Sequence, residues 1–254
     1  MALYLGVLVY VYLTQDSKVF NQDEIEPKEL LELKNTQRIS LKVGKNVVLD
    51  GVYKKSLNQN APLIIYFGGN ADDATRIVLH VKSLVEYDVL AFNYRGFVNS
   101  SGKPSEKNIF SDALSIFDEY GKDKDVIVMG RSLGTGTATY LASKRDVKGL
   151  ILITPYDSVV SMAKKMYPYL PVKILSKHKF DSVKHMYDVK AKVGLIEVID
   201  DETISAYHFD KLKQSVLNQA LHIELENTTH KDVLIHPQFE ESLKKIIKEF
   251  NVDR

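Results

Sequence analysis

Between residues 38 and 250 the chain alternates short apolar runs with longer stretches whose apolar residues recur every three or four positions. Residues 38–43 and 46–54 read as two strands joined by a tight turn at Gly44-Lys45. Residues 62–67 (PLIIYF) are continuously apolar, the pattern of a strand covered on both faces. Gly68, Gly69 and Asn70 end that run, and Asp72 or Asp73 can cap a helix predicted over residues 74–86. Within it Ile77, Val78, Val81, Leu84 and Val85 share one stripe. Strands at 88–94, 125–129, 148–154, 193–199 and 220–225 then alternate with helices at 106–120, 133–144, 205–217 and 237–250. A long polar loop fills 95–105, and only residues 155–190 break the rhythm. That segment holds three prolines and no buried-strand run, so it reads as an inserted, partly helical cap.

This alternation predicts the α/β class: a mostly parallel twisted sheet with helices on both faces and a small helical cap. The domain plan is a hydrophobic segment at 1–20 followed by one α/β domain at 21–254, with the cap inserted at about 155–190. Right-handed crossovers bring the carboxyl ends of the parallel strands to one rim, where ligands bind. Chemistry is therefore sought at residues 68–71, 94–96, 130–134, 154–157 and 200–202, and near His230.

From Ala2 to Leu13 every residue is apolar or aromatic, with Tyr4, Tyr10 and Tyr12 of the type favoured at bilayer interfaces. At about 1.5 Å per residue the run reaches roughly 18 Å, short of a hydrocarbon core of roughly 30 Å. It lacks the basic leader of a secretory signal, because the first lysine is Lys18. The expectation is membrane association, firm if further residues precede Met1 and interfacial if none do. The alternatives are a segment packed on the domain and a cytoplasmic protein. A mixed polar and charged stretch, 15–35, separates this run from the body.

Composition removes several classes. A hydrophobic content of 44% rules out disorder, and 34 basic against 33 acidic side chains argue against a nucleic-acid binder. The absence of cysteine excludes disulfides, thiolate metal sites and cysteine nucleophiles. Asp72-Asp73 and Asp200-Asp201-Glu202 lack histidines at ligand spacing, and Gly68-Gly69-Asn70 lacks the lysine of a phosphate loop, so no metal or cofactor is expected. The cap segment 160–192 carries eight lysines against two aspartates, read as solvated helix faces or as attraction to anionic lipid or substrate. Oligomeric state is left open.

Gly130-Arg131-Ser132-Leu133-Gly134 matches G-x-S-x-G. At roughly 7% usage per fixed position, such a match arises by chance in about one chain in ten of this length, so the motif alone is weak. Its setting is stronger, because a strand leads into it and a helix leaves it, as a nucleophile elbow requires. Ser132 needs a base, and the base needs an orienting acid. His80 and His208 fall in predicted helices, His222 in a strand, and His178 and His185 in the cap. His230 lies in a loop past the last strand and is the preferred base, with His236 as the fallback. For the acid, Asp201, Asp200 and Asp157 all stand at strand ends.

Taken together, these residues resemble the α/β-hydrolase superfamily of serine hydrolases, in its small bacterial, membrane-associated, acyl-hydrolase or peptidase-like branch. Tyr66-Phe67-Gly68-Gly69-Asn70-Ala71 looks like the family's oxyanion loop, and Tyr94-Arg95-Gly96 with Ser101-Gly102-Lys103-Pro104-Ser105 is similar to a second loop. Asp201-Glu202-Thr203-Ile204 resembles the acid loop, which ranks Asp201 above Asp200, and Thr229-His230-Lys231-Asp232 fits the base loop. Pro155-Tyr156-Asp157-Ser158 and Phe180-Asp181-Ser182 look like cap motifs. The resemblance implies a Ser132, His230, Asp201 triad acting on a small acyl ester or thioester, with the backbone N–H groups of Leu133 and Asn70 receiving the oxyanion. Its rivals are a serine peptidase of the same fold and a non-catalytic, membrane-tethered binding protein. Three departures stand out: Gly68 replaces the usual histidine, the strand at 193–199 lacks the customary preceding proline, and Glu197 puts an acid in that otherwise apolar run.

Overall fold

The computed structural model describes residues 2–21 and 36–251. Among the described residues eight strands form one sheet: β1 (Thr36–Val43), β2 (Val47–Lys54), β3 (Leu63–Phe67), β4 (Asp88–Phe92), β5 (Val126–Arg131), β6 (Gly149–Ile153), β7 (Lys192–Val198) and β8 (Gln219–Leu225). Their spatial order is β1-β2-β4-β3-β5-β6-β7-β8. β2 runs antiparallel to β1 and β4, and every other pairing is parallel. Strand order reverses at β3, whose neighbours are β4 on one side and β5 on the other. A crevice opens outside the carboxyl ends of strands at such a reversal.

The helices are α1 (Ala2–Val19), α2 (Ile77–His80), α3 (Glu106–Tyr120), α4 (Leu133–Ala142), α5 (Val159–Met166), α6 (Val172–Leu175), α7 (Ser182–Met186), α8 (Ala206–Lys213) and α9 (Phe239–Glu249). β3, β4, β5 and β6 are buried at every residue, which is why their sequences are apolar apart from Asp88 at the start of β4 and Arg131 at the end of β5. Alternate residues feed two cores. Val126 and Val128 join α3, α4 and α8 on one face, while Ile127 and Met129 join α2 and α9 on the other.

The long helix expected over 74–86 does not form. A short 3-10 turn (Ala74–Arg76) runs into α2, which ends at Val81, where the backbone leaves helical geometry (φ −128°, ψ 37°). Beyond it the carbonyls bond groups from the preceding strand and loop. Lys54 Nζ donates to the carbonyls of Val81 and Leu84, and Ser56 Oγ to that of Val85. The stripe still serves the core through Ile77, Val78, Val81 and Leu84, while Val85 is exposed. Helices 205–217 and 237–250 form over shorter spans, as α8 and α9. The segment between β6 and β7 carries α5, α6 and α7. Of the polar stretch 15–35, residues 22–35 lie outside the described residues, as do Met1 and residues 252–254. No helix among the described residues is long and apolar enough to cross a membrane.

Candidate active site

β5 ends at Arg131 and α4 begins at Leu133, so Ser132 occupies the one-residue turn between them. Its backbone is held at φ 49°, ψ −119°, a left-handed conformation that a residue with a Cβ adopts only at a cost. The two motif glycines are required sterically. A Cβ on Gly130 would run into the carbonyl oxygen of Gly134, and one on Gly134 into that of Phe67. The turn therefore packs directly on the end of β3, at the crevice where strand order reverses.

His230 arrives from the loop after β8 and is buried. Its Nε2 lies 2.9 Å from Ser132 Oγ, and its Nδ1 lies 2.7 Å from Asp201 Oδ2. A carboxylate can only accept, so the ring proton sits on Nδ1 and Nε2 is free to accept from the serine. The other carboxylate oxygen of Asp201 is fixed by the N–H groups of Thr203 (2.8 Å) and Ile204 (2.7 Å). The neighbouring acids diverge. Asp200 is exposed, and Glu202 Oε2 accepts from the backbone N–H of His230 at 3.0 Å.

The competing acid and base are engaged elsewhere. Asp157 is buried, and its two oxygens are taken by His208 Nδ1 (2.8 Å) and Lys211 Nζ (2.7 Å). Burial pushes its carboxyl up, but hydrogen bonds from Lys211, Ser161, the Ser158 N–H and His208 outweigh that and hold it below the usual aspartate value. His236 accepts from the N–H of Gln238 at 3.3 Å and makes no bond to Ser132. Glu197 finds its partner across the sheet in His222, at 2.8 Å. With Glu224 these two bring ligand-type atoms within 4.8 Å of one another, but Lys213 Nζ sits 3.0 Å from His222 Nδ1 and puts a positive charge there. That grouping reads as an ion-paired cluster at a sheet edge.

Three supporting residues were not apparent from sequence. Arg131 donates from one terminal nitrogen to the carbonyls of His230 (2.9 Å) and Lys231 (3.3 Å), and from the other to Asp72 Oδ2 (3.1 Å). Asp72 Oδ2 also accepts from the N–H of Gly69 at 3.3 Å. One guanidinium thus ties the base loop to the loop after β3. Arg131 fills a variable position of the motif, and nothing in the motif says where its side chain goes. Glu202, in the Asp-Asp-Glu run, is the third.

Asn70 and Leu133 line one cavity with Ser132. Leu133 is the first residue of α4, so its N–H has no partner within the helix. The loop at Gly68 is held by Tyr94 Oη, which donates to the Gly68 carbonyl at 2.9 Å. The cavity, about 320 Å³, runs from Ser132 past Tyr156, Met162 and Leu175 in the cap segment. Its outer wall comes from Val11 and Val19 of α1, so the amino-terminal run closes over the site instead of standing apart from the body. A larger cleft of about 1380 Å³ lies at the opposite rim, around Asp88, Tyr120 and Lys124. Volume alone does not pick the site.

Residues 63–183 match a family model described as alpha/beta hydrolase fold. An esterase of Pyrococcus furiosus, Pf2001, superposes with a TM-score of 0.65 at 17% identity, over 91% of this chain and 97% of that one. The chain has the α/β-hydrolase fold. Among curated relatives, an uncharacterized protein of Mycobacterium tuberculosis is 26% identical over 211 residues, covering 76% of this chain and 74% of that protein. The lysophosphatidylserine lipase ABHD12 of Danio rerio is 36% identical over 136 residues. That match covers 47% of this chain and about a third (36%) of the lipase.

Proposed function

We propose that the protein is a serine hydrolase that cleaves carboxylic esters or thioesters through Ser132, His230 and Asp201. The observation that carries this reading is the unbroken hydrogen-bond chain from Ser132 Oγ through both ring nitrogens of His230 to Asp201, at the floor of an apolar cavity. Ser132 Oγ attacks the acyl carbonyl carbon while His230 Nε2 takes its proton. The carbonyl electrons move to oxygen, facing the N–H groups of Leu133 and Asn70, each donor contributing roughly 3–4 kcal/mol in comparable sites. Collapse expels an alkoxide or thiolate, which takes the proton from His230 and leaves an acyl-enzyme on Ser132. Water then attacks with His230 again as base, releasing the acid and restoring the serine. Asp201 holds the imidazole in the required tautomer and faces the positive charge it carries in both steps.

The apolar walls favour an acyl chain over a peptide, and the naming of one relative as a lipase is consistent with that choice. Exposed Leu3, Leu5, Tyr10 and Leu13 on α1 support association with a membrane surface. The test is turnover of p-nitrophenyl esters of increasing chain length. The parent hydrolyses them and Ser132→Ala does not; equal turnover by the two proteins would refute the assignment.

A further inference from the structure

We propose that α1 and the cap segment form one lipid-docking platform, so that the pocket opens onto an anionic bilayer and takes long-chain acyl amphiphiles from its surface. The substrate half of this statement rests on the hydrolase reading above; the docking half does not.

α1 is fastened along the cap. The side-chain amide of Gln15 donates to the Leu175 carbonyl (3.1 Å) and accepts from the Lys177 N–H (2.8 Å), and Asp16 accepts from His178 Nε2 at 3.1 Å. Tyr4 Oη donates to the carbonyl of Tyr169 at 3.1 Å. At its far end Phe20 is buried against the rings of His178 and Phe180, and the Asn21 N–H donates to Asn70 Oδ1 at 2.7 Å. Only one stripe of the helix is used in this way. The other faces leave large apolar side chains in the open, Leu3 84% and Leu13 67% exposed.

The cap segment extends the same surface. Tyr169, whose carbonyl Tyr4 bonds, and Ile174, next to Leu175, are 89% and 84% exposed. Met166, also exposed, lines the mouth of the cavity that leads down to Ser132. The apolar area therefore rims the pocket from both sides.

Charge identifies what covers it. Residues 159–179 carry five lysines, Lys164, Lys165, Lys173, Lys177 and Lys179, and no acidic side chain. Exposed apolar and tyrosine side chains ringed by lysines suit an anionic lipid interface. A second copy is disfavoured, because a two-fold contact would set the same lysine-rich patch against itself. The helix lies on the cap, and no helix among the described residues is long and apolar enough to cross a membrane.

Flotation of the full chain with vesicles of phosphatidylcholine alone, and with phosphatidylglycerol added, tests this. The double variants Leu3→Glu/Leu5→Glu and Tyr169→Glu/Ile174→Glu alter each half of the platform at exposed positions. The parent should bind the anionic vesicles at least tenfold better than the neutral ones. Each double variant should lose at least tenfold in anionic binding while p-nitrophenyl acetate turnover stays within about twofold. Hydrolysis of a long-chain ester held in the vesicles should fall with binding. Parent-like binding by the Tyr169/Ile174 variant would leave α1 as a lone anchor and overturn the platform. A parent that ignores vesicles, or a dimer in sedimentation that either variant dissolves, would overturn it too. If vesicles bind as stated but no ester is cleaved, the substrate half fails with the hydrolase reading and the docking surface stands.

Discussion

Two aspartate–histidine pairs are nearly equal in length, Asp201–His230 at 2.7 Å and Asp157–His208 at 2.8 Å. Both sit among strand ends of one sheet and both histidines are buried. Their remaining partners separate them. The free ring nitrogen of His230 reaches a serine held in a strained turn at the floor of a cavity. In the other pair the second aspartate oxygen is closed off by Lys211, so the carboxylate's charge is spent on fastening α8 to the loop after β6. An aspartate–histidine contact is therefore no evidence of catalysis by itself. What the free nitrogen meets decides the role.

The largest difference between the pairs should appear when each aspartate is removed. Asp201→Ala should cut ester turnover by roughly 10³–10⁴-fold, whereas Asp157→Ala should keep turnover within a few-fold. Asp157→Ala should instead cost about 2 kcal/mol or more, since it leaves buried His208 without its partner. That stability term has a defined pH window. The folded carboxyl of Asp157 lies below its unfolded value, near 3.9, so its contribution is complete above about pH 4–5 and fades as pH falls through the folded value. Urea midpoints of parent and variant should converge on acidification. Turnover crippled by Asp157→Ala would reverse the comparison.

A smaller effect sharpens it. Arg131→Met removes the bonds to the His230 and Lys231 carbonyls and to Asp72 without touching the triad. Loss of that positioning should lower kcat by roughly tenfold to a hundredfold, with KM for a short ester little changed and secondary structure retained by circular dichroism. An unchanged kcat would show that Glu202 alone fixes the base loop.

Much of this was legible in the sequence, for identifiable reasons. The central strands are buried on both faces and so carry no polar interruptions, and the elbow announces itself because only glycine fits beside the Phe67 and Gly134 carbonyls. His230 was found by its position past the last strand. What escaped depends on partners distant in sequence. The helix expected over 74–86 stops at Val81, whose carbonyl bonds Lys54, a residue that lies before β3. The fastening of α1 to the cap rests on Gln15 and Asp16, in a stretch that reads as a separating linker. The Asp157–His208 pair joins residues 51 positions apart, and no local pattern marks it.

The central claim is that Ser132 is the activated nucleophile, and covalent labelling tests it most directly. The parent, treated with a fluorophosphonate and digested, should carry one phosphonyl group, on the peptide containing Ser132. Labelling should be lost in Ser132→Ala, slowed at least a hundredfold in His230→Ala, and unaltered in His208→Ala. An adduct on another serine, or a folded parent that takes up no label, would contradict the account.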